Sequence, residues 1–503
     1  MLTFVTFFPE GLVLHLSSFL LFTLYASTVA ASQTRPSYHI NPEMKRMNDP
    51  QRPFRLGDEW HFYYLYHSNF DISNPGSGVA IEKYKQNPPT GVILGDIETG
   101  SAAVVDTDNS AGFGQNSVVA ILSQMADELQ QQSLFYSTDN GYSFLPYAGY
   151  PVMPNPNPDA KPAFRDPKIL WDGEAGRWAM SLAEGNKIGF YTSPDLKTWT
   201  YMSGFIPENS GVNLGILECP DLYQIDLDRD TTKRTWILGV SANGYFYNRT
   251  TDTVYWTGTW DGNGFTPTNG FPQWMDDGPD FYATVSWDNL DDTYGSRYAI
   301  AWMNNWGYAD SLPYYGDFAG QDSMIREVKF KTISRMYEDV FAPPNSVSGN
   351  TIAMDPASAS LPSSPMGGAY IINATVAKNN GDNGNHVHFR IKSDGSFSTT
   401  VGYDFTHSQV FLVRDSDGYA TDSMPSDPKQ IYDAVRMAPN TSGGNTVKMV
   451  IYVDWNSVEV FVNDGVAVLS GLIYSKQAAE EIQVVSDIGR LTLVTFSYAG
   501  HVM

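Results

Sequence analysis

Short apolar runs separated by clusters of Gly, Pro, Asn and Asp recur along most of the chain. Typical runs cover residues 60–66, 117–122 and 235–240. Runs of this length that are rich in aromatic and β-branched residues are typical of β-strands. No stretch shows a long helical period, and residues 124–133 predict at most one helical turn or a polar loop. The pattern therefore predicts an all-β fold.

A loose internal repeat supports a particular β architecture. Its copies begin at Tyr136, Tyr191 and, more weakly, Tyr255, and each runs through a tight turn to an aromatic residue. The period of roughly 55–65 residues is close to one four-stranded propeller blade with its loops. β-Hairpins in general share this appearance, but the regular spacing favours a β-propeller over residues 35–340.

The pattern changes near residue 340. The stretches 342–345 and 356–365 are rich in Pro, Ser or Ala, and they predict a linker over residues 341–366. Beyond the linker, 387–403 and 447–474 alternate apolar and polar residues with period two, and Asn463-Asp464-Gly465 is a hairpin turn signal. These features predict an antiparallel β-sandwich over residues 367–503.

The first thirty residues are a candidate targeting segment. Residues 12–30 are mostly apolar, and Thr28-Val29-Ala30 resembles a small-residue cleavage site. No Lys or Arg precedes the run, which is short and mixed for a membrane anchor, the alternative interpretation. We predict a signal peptide over residues 1–30 and a secreted, extracellular protein. Glycosylation sequons, which agree with secretion, begin at Asn248, Asn373 and Asn440.

Charge and motif content exclude several functions. The net charge of −24 argues against partners such as nucleic acids and anionic membranes. The single cysteine, Cys219, excludes a disulfide within the chain. His-Glu-x-x-His, paired cysteines and Gly-x-Ser-x-Gly are all absent, so the sequence predicts no metal, no cofactor and no serine-hydrolase elbow.

Three carboxylates that are far apart in sequence lie beside a proline. They occur in Asn48-Asp49-Pro50, Arg165-Asp166-Pro167 and Glu218-Cys219-Pro220-Asp221. A residue before proline is disfavoured in helical geometry, so Asp49 and Asp166 are expected at strand ends or turns. A fold that gathers the three carboxylates would form an acidic pocket, and paired carboxylates are what cleavage of a glycosidic bond requires.

In this order the three motifs resemble glycoside hydrolase family 32, which contains invertases, inulinases, levanases and fructosyltransferases. Asp49-Pro-Gln-Arg-Pro53 is closer to a levanase-like subgroup than to common invertases. The resemblance covers most of the chain and implies a five-bladed β-propeller followed by a C-terminal β-sandwich. Flanking matches are Tyr38-His39, Asp280-Phe-Tyr-Ala283, Ala301-Trp-Met-Asn-Asn-Trp306, Arg326-Glu327 and Val458-Glu-Val-Phe-Val-Asn-Asp-Gly465.

The resemblance also implies catalytic roles. Asp49 would be the nucleophile that attacks the anomeric carbon of a fructosyl unit. Glu218 would be the acid and base, held protonated in the free enzyme by neighbouring negative charge. In a retaining pair the two carboxyl groups are about 5–5.5 Å apart. Asp166 would bind fructose hydroxyls and stabilise the oxocarbenium-like transition state.

Further positions carry substrate-binding expectations. Arg165 and Asn48 would hold sugar hydroxyls, and Tyr282 would line the mouth or bond to the nucleophile. Trp302, like Trp306, would be either core or a stacking wall. Cys219 is expected only to pack under Glu218, and His61 and His67 are read as structural.

The chain departs from the family pattern around the expected fructose subsite. Glu98-Thr-Gly-Ser101 stands where a Trp-Ser-Gly-Ser-like stretch is usual. Tyr64-Leu65-Tyr66 lacks the usual glutamine, and a segment containing Trp and His-Ala is missing after Gly78.

Three functions remain open from the sequence. The leading hypothesis is a retaining hydrolase that releases fructose from sucrose, levan or inulin. A fructosyltransferase would use the same residues and the same covalent intermediate. A non-catalytic fructan-binding protein is the third, motivated by Glu98 and the missing segment, but the intact acids favour an enzyme. The sequence leaves linkage preference, exo or endo action and the oligomeric state undetermined.

Overall fold

The computed structural model describes most of the chain from residue 35 onwards. The described residues are 5–7, 35–67, 70, 95–149, 151–247, 249–287, 294–312, 317–331, 335–340, 346–354, 357–360, 369–378, 384–393, 399–414, 424–474, 481–486 and 491–499. The predicted signal peptide apart from residues 5–7, the position of the missing segment after Gly78 and sequon residue Asn248 lie outside these ranges.

Strands dominate the described residues, as the sequence pattern predicts. A single α-helix, α1 (Ser426–Asp433), occurs in these ranges. No helix in the described part of the chain combines the length and apolar character that crossing a bilayer requires. Short 3-10 helices cover Pro207–Ser210, Tyr245–Tyr247 and Ala309–Ser311.

The first region, up to residue 340, forms a series of small antiparallel sheets. Its strands are β1 (Val5–Phe7), β2 (Lys45–Leu56), β3 (Glu59–His67), β4 (Asp96–Asp106), β5 (Ser117–Ala126), β6 (Leu129–Ser137), β7 (Leu145–Pro146), β8 (Arg165–Asp172), β9 (Arg177–Ala183), β10 (Ile188–Ser193), β11 (Thr200–Phe205), β12 (Leu217–Asp226), β13 (Arg234–Asn243), β14 (Thr251–Trp260), β15 (Phe265–Pro267), β16 (Gln273–Trp274), β17 (Tyr282–Ser286), β18 (Arg297–Trp302), β19 (Phe318–Ala319), β20 (Arg326–Lys331) and β21 (Arg335–Val340).

Within the described ranges these strands make five sheets. Their strand orders are β1-β3-β2-β19, β4-β5-β6-β7, β8-β9-β10-β11, β12-β13-β14-β15 with β16 on β14, and β17-β18-β20-β21. The short strand β19 pairs in parallel with β2, so a segment from the end of the region joins the first sheet.

One strand from each sheet faces a common centre. Strands β2, β4, β8, β12 and β17 are neighbours in that order, and β17 lies beside β2 again, which closes a ring. Apolar clusters join successive sheets: Ile121 packs in one cluster with Ile169, and Phe62 in another with Trp287. Burial of these facing side chains holds the ring together, because apolar area is removed from water at each sheet-to-sheet contact.

Each copy of the sequence repeat forms the connection between the third and fourth strands of a sheet. An aspartate organises each turn: Asp139 accepts the N–H of Ser143 at 2.9 Å, and Asp195 accepts the N–H of Thr198 at 2.8 Å. In the weakest copy, Asp261 accepts the N–H of Gly264 at 2.8 Å. The repeat is therefore a tight turn in which the aspartate carboxylate accepts a hydrogen bond from a backbone N–H three or four residues further along the chain. This ability to bond to the local backbone is why aspartate is favoured in turns.

The expectation of a helical turn or polar loop over residues 124–133 is wrong. These residues end β5 and begin β6, which form a hairpin with Asp127 and Glu128 at its turn. Both turn residues have positive φ, 49° and 66°, as a tight two-residue hairpin turn requires. The polar run misled the prediction because Gln124, Gln130 and Gln132 are buried; Gln132, for example, accepts a hydrogen bond from the Ser123 hydroxyl at 2.8 Å.

The second region forms two six-stranded sheets. Its strands are β22 (Ser346–Met354), β23 (Ala357–Ser360), β24 (Tyr370–Ala377), β25 (His386–Ser393), β26 (Thr399–Asp404), β27 (Gln409–Val413), β28 (Arg436–Pro439), β29 (Thr446–Val453), β30 (Ser457–Val462), β31 (Ala467–Leu472), β32 (Glu481–Ser486) and β33 (Leu491–Ala499). The sheet orders are β22-β33-β24-β29-β30-β31 and β23-β32-β25-β26-β27-β28. One apolar cluster, with Ile372 and Val460 from the first sheet and Phe389 and Val401 from the second, fills the space between them.

Two expectations for this region need correction. Strands β22 and β23 fall inside the predicted linker over 341–366 and pair with β33 and β32, so these residues extend the sheets. Small and β-branched residues between the Pro-rich stretches suit a strand. The sequon residue Asn440 is buried, and its amide donates to the Tyr403 hydroxyl at 2.9 Å, so this side chain is not presented for glycosylation.

Buried charged side chains join the two regions. His39 Nδ1 lies 2.8 Å from an Asp454 oxygen, and His39 Nε2 lies 2.8 Å from a Glu459 oxygen. Arg326 contacts Glu459 at 2.7 Å and Asp276 at 3.0 Å, and all five side chains are inaccessible to solvent. The first region therefore contacts the second through a buried network of alternating charge.

A second buried contact lies nearby. Asp280 accepts the N–H of Leu472 at 2.7 Å and a guanidinium N–H of Arg414 at 3.0 Å. The Tyr308 hydroxyl also donates to Asp280. Because buried charges are tolerated only when paired and hydrogen-bonded, these contacts fix how the two regions meet.

Candidate active site

The five strands that face the centre all change register near their first residues. The breaks fall at Met47/Pro50, Ile97/Gly100, Arg165/Lys168, Glu218/Asp221 and Tyr282/Val285. Each break leaves two residues out of the ladder, which is the geometry of a β-bulge that re-aims side chains. Pro167 and Pro220 are left out of the ladder at these breaks, where a missing N–H costs no ladder hydrogen bond, and Pro50 is the first residue paired after its break.

Backbone strain accompanies these bulges. Asp166, Cys219 and Ala283 have positive φ values of 59°, 48° and 53°. Non-glycine residues in this region cost of order 1–3 kcal/mol each and persist where the surrounding structure fixes them. The backbone therefore makes the same left-handed turn at the register break of each of the neighbouring strands β8, β12 and β17. We infer that these turns direct the adjacent side chains to the centre of the ring.

Asp49 is buried and anchored on one side only. Its Oδ2 accepts a hydrogen bond from the Thr99 hydroxyl at 2.7 Å, whereas its Oδ1 has no hydrogen-bond partner among the residues that the structure describes. Gln51 donates to the Asp49 backbone carbonyl at 3.1 Å and accepts the N–H of Gly100 at 2.8 Å, so β2 and β4 are locked together here. Thr99 therefore holds one oxygen of the carboxylate, and the other is buried without being used in a hydrogen bond to the described residues.

Arg165 connects the other two acids. Its Nη2 donates to Glu218 Oε1 at 2.7 Å, and its Nε lies 3.8 Å from Asp166 Oδ2. The same Asp166 oxygen accepts the N–H of Cys219 at 3.0 Å, and the Asp166 N–H donates to the Ser123 hydroxyl at 3.0 Å. The guanidinium therefore holds two carboxylates from neighbouring strands in one place.

Glu218 is held from its other side by an aromatic residue. Its Oε2 accepts the Tyr282 hydroxyl, and the side chain keeps 23% of its surface exposed. Tyr282 is paired with Trp302 across β17 and β18, and Trp302 is fully buried. The structure thus places Trp302 in the core behind Tyr282, and the exposed neighbour is Trp306, whose ring lies 4.9 Å from that of Trp302.

Other polar residues support the acids. Asn48 is buried beside Asp49, and its Oδ1 lies 3.0 Å from His67 Nε2. Sequence reasoning missed His67 and Thr99 as parts of the site. Thr99 lies in Glu98-Thr-Gly-Ser101, the stretch that differs from the family pattern, but nothing in the sequence indicates that its hydroxyl contacts Asp49. His67 had no local signal, because its partner is 19 residues away.

The electrostatics of the site reflect crowding of like charges. Burial, followed by the charge of Glu218, raises the pKa of Asp49 to about 6, against the opposing Thr99 hydrogen bond. Burial also raises the pKa of Asp166 to about 7, although Arg165 lowers it. Burial and the charges of Asp166 and Asp49 raise the pKa of Glu98 to about 8. Desolvated carboxylates that repel one another retain protons more strongly.

The arrangement has the elements of acid–base and nucleophilic chemistry. One carboxyl has an oxygen without a hydrogen-bond partner in the described ranges, a second is hydrogen-bonded and partly exposed, and a third is held by the same arginine. No group of three or more His, Cys, Asp or Glu side chains in the described ranges is arranged to hold a metal ion. The geometry agrees with a pocket that works through carboxyl groups.

Comparisons with known proteins give a consistent result. The model of the glycosyl hydrolases family 32 N-terminal domain matches residues 39–339, and the model of the family 32 C-terminal domain matches residues 343–499. A levanbiose-producing levanase of Bacillus subtilis is 37% identical over 480 residues, which cover 90% of this chain and 88% of the relative. A levanbiose-producing levanase of Geobacillus stearothermophilus is 43% identical over 327 residues, covering 61% of this chain and 79% of the relative.

Solved structures show the same fold. The exo-inulinase of Aspergillus awamori superposes with a TM-score of 0.75 at 24% identity, covering 93% of this chain and 98% of that chain. The β-fructofuranosidase of Schwanniomyces occidentalis also gives a TM-score of 0.75, at 22% identity, covering 92% of this chain and 97% of that chain.

Proposed function

This chain belongs to glycoside hydrolase family 32 and is a glycoside hydrolase of the β-fructofuranosidase and fructanase type, and we propose that it works by retaining chemistry on Asp49 and Glu218. The single observation that carries the proposal is the convergence of Asp49, Asp166 and Glu218, with Arg165 bridging the last two.

The first step forms a covalent intermediate. Asp49 Oδ1, the oxygen that no described residue hydrogen-bonds, attacks the anomeric carbon of a terminal fructosyl unit. The bond from that carbon to the leaving oxygen breaks, and the Glu218 proton passes to the leaving oxygen. In the second step Glu218 takes a proton from water, the hydroxide oxygen bonds to the anomeric carbon, and the ester to Asp49 breaks. Two inversions at one carbon give net retention.

The neighbouring residues have supporting roles. Asp166, held by Arg165 and the Cys219 N–H, accepts hydrogen bonds from fructose hydroxyls and offers negative charge to the oxocarbenium-like transition state. Arg165 and the Tyr282 hydroxyl orient the two oxygens of Glu218. Asn48 offers its amide to the sugar while His67 fixes its orientation. Trp302 supports Tyr282 from the core.

Levan is the substrate that we place first. The two relatives named above are levanbiose-producing levanases, and they match at 37% and 43% identity. Inulin and sucrose are the alternatives, since the solved structures with this fold include an exo-inulinase and a β-fructofuranosidase.

The architecture and location complete the proposal. We interpret the closed ring of five sheets as a five-bladed β-propeller over residues 35–340 and the two six-stranded sheets as a β-sandwich domain. Secretion is supported by the apolar N-terminal run and by the extracellular exo-inulinases of Aspergillus awamori and Aspergillus ficuum, which are 27% identical.

The test is a product assay with matched variants. The purified chain is incubated separately with levan, inulin and sucrose, and released sugars are measured. We expect turnover that is abolished in Asp49→Ala and lowered by ~10²–10⁴-fold in Glu218→Gln. Asp58→Asn, a control at a side chain that is 93% exposed, should act like the wild type. Sugar release that persists in both active-site variants would overturn the proposal.

A further inference from the structure

Glu98 occupies a bulge equivalent to those that contain Asp49 and Asp166. In β4 the register breaks between Ile97 and Gly100, so Glu98 and Thr99 are the two residues left out of the ladder. In β2 the corresponding pair is Asn48 and Asp49. Because Glu98 lies at the register break of a strand that faces the centre of the ring, we infer that its side chain lies near that centre, as that of Asp49 does.

Its neighbours place the Glu98 carboxyl inside the site. Strand β4 lies between β2 and β8, which carry Asp49 and Asp166. Both of these carboxyls interact electrostatically with that of Glu98, as does Arg165. The next residue, Thr99, donates directly to Asp49. The Glu98 side chain is half-buried, so it is not sealed in the core.

The charge balance of the site argues that Glu98 is neutral. Charged or ionisable groups face it from two other strands: Asp49 on β2, and Arg165 and Asp166 on β8; Asp96 lies on its own strand. Arg165 already contacts Glu218 and Asp166. The three carboxyls of Asp49, Asp166 and Glu98 lie around this one cation, and they cannot all ionise near neutral pH without strong repulsion. Burial and this repulsion raise the pKa of Glu98 to about 8, the highest of the values for Asp49, Asp166 and Glu98.

We propose that Glu98 is a substrate-binding residue that holds the fructosyl unit attacked by Asp49, and that it does so as a neutral carboxyl group. A protonated carboxyl has one O–H donor and a carbonyl acceptor, so it can bond to two sugar hydroxyls at once. It can do this between Asp49 and Asp166 without adding a further negative charge. The inference rests on the proposed function, because it assumes that this pocket binds fructosyl units.

Binding in an inactive background tests the inference separately from turnover. The Asp49→Ala protein is titrated calorimetrically with a levan oligosaccharide at pH 6, alone and combined with Glu98→Ala or Glu98→Gln. We expect Glu98→Ala to weaken binding by about tenfold or more, which is the effect of losing roughly one good hydrogen bond. We expect Glu98→Gln to bind within about threefold of the parent, because a neutral amide also has a donor and an acceptor.

The control and the contrary outcomes are distinct. Glu174→Gln, at an exposed position outside the ring, should leave binding unchanged. Unchanged affinity in Glu98→Ala would overturn the contact with substrate. Equal weakening in Glu98→Gln and Glu98→Ala, with thermal melts showing that both are folded, would overturn the neutral state. No turnover by the wild type together with normal oligosaccharide binding would refute the hydrolytic proposal and leave the role of Glu98 in binding supported.

Discussion

Replacing His39 with glutamine removes the cation that Asp454 and Glu459 share at the contact between the two regions. The His39 side chain is fully buried, with an acidic oxygen 2.8 Å from each ring nitrogen. Burial alone would lower the pKa of His39, but the hydrogen bonds to Asp454 and Glu459 outweigh it and raise the pKa to about 9. At neutral pH the imidazolium is therefore part of the folded structure.

The size and pH range of the effect follow from this pKa. The folded protein binds the His39 proton more tightly than the unfolded chain, whose histidine has a pKa of 6.5. The stabilisation is complete below pH 6.5 and is lost as pH rises through about 9. A change of about 2.5 pKa units corresponds to roughly 3 kcal/mol of unfolding free energy.

Urea unfolding of the wild type and His39→Gln at pH 6, 8 and 10 measures the effect. At pH 6 the variant should be less stable by roughly 3–5 kcal/mol, the usual cost of breaking a buried ion pair. This difference should shrink by roughly 3 kcal/mol between pH 6 and pH 10. His407→Gln is the matched control, since that side chain is 67% exposed and should change stability by less than about 0.5 kcal/mol. A stability difference that does not vary with pH would refute a charged His39.

Other substitutions probe the site and the second buried contact. Asp49→Asn should abolish sugar release yet raise the unfolding free energy by roughly 3 kcal/mol at pH 8 and very little at pH 4. The reason is that the pKa of Asp49, raised to about 6, makes the ionised carboxylate unfavourable in the folded protein. Equal shifts of the melting temperature at both pH values would contradict this. Tyr282→Phe, which removes the hydroxyl bonded to Glu218, should lower kcat by ~10–100-fold in steady-state assays, and an unchanged kcat would exclude a role for that hydroxyl. Arg414→Met leaves Asp280 without its cation and should lower the unfolding free energy by roughly 3–5 kcal/mol in urea titrations; a loss under about 1 kcal/mol would show that Tyr308 and the backbone suffice.

Two features could be predicted from the sequence, each from a different signal: the β-strands from local apolar runs, and the three candidate acids from their short motifs. Apolar runs such as 235–240 have a period and flanking turn residues that are local, so β13 could be predicted directly. Asp49 and Asp166 stand out because their Asp-Pro motifs occur in order with Glu218-Cys219-Pro220-Asp221, whereas Asp-Pro alone also occurs at Asp355 and Asp427. The structure places both of these motifs at register breaks.

What the sequence did not indicate depends on distant partners. Gln132 looked like a loop residue, yet its amide is buried and donates to the Phe164 carbonyl at 2.6 Å, 32 residues away. Thr99 and His67 gained their places only through Asp49 and Asn48 on other strands. Trp302 could be core or sugar platform from its motif alone, and only packing behind Tyr282 places it in the core.

The contact of His39 with Asp454 has a consequence for synthesis of the protein. These two residues are separated by 415 positions, so at ~5–20 residues per second the ribosome needs roughly 20–80 s to supply the partner of a side chain already made. Until residue 454 has been made, His39 lacks this partner. A nascent chain that stalls before that point therefore carries Asp49, Asp166 and Glu218 in the first region without the buried network that joins this region to the second.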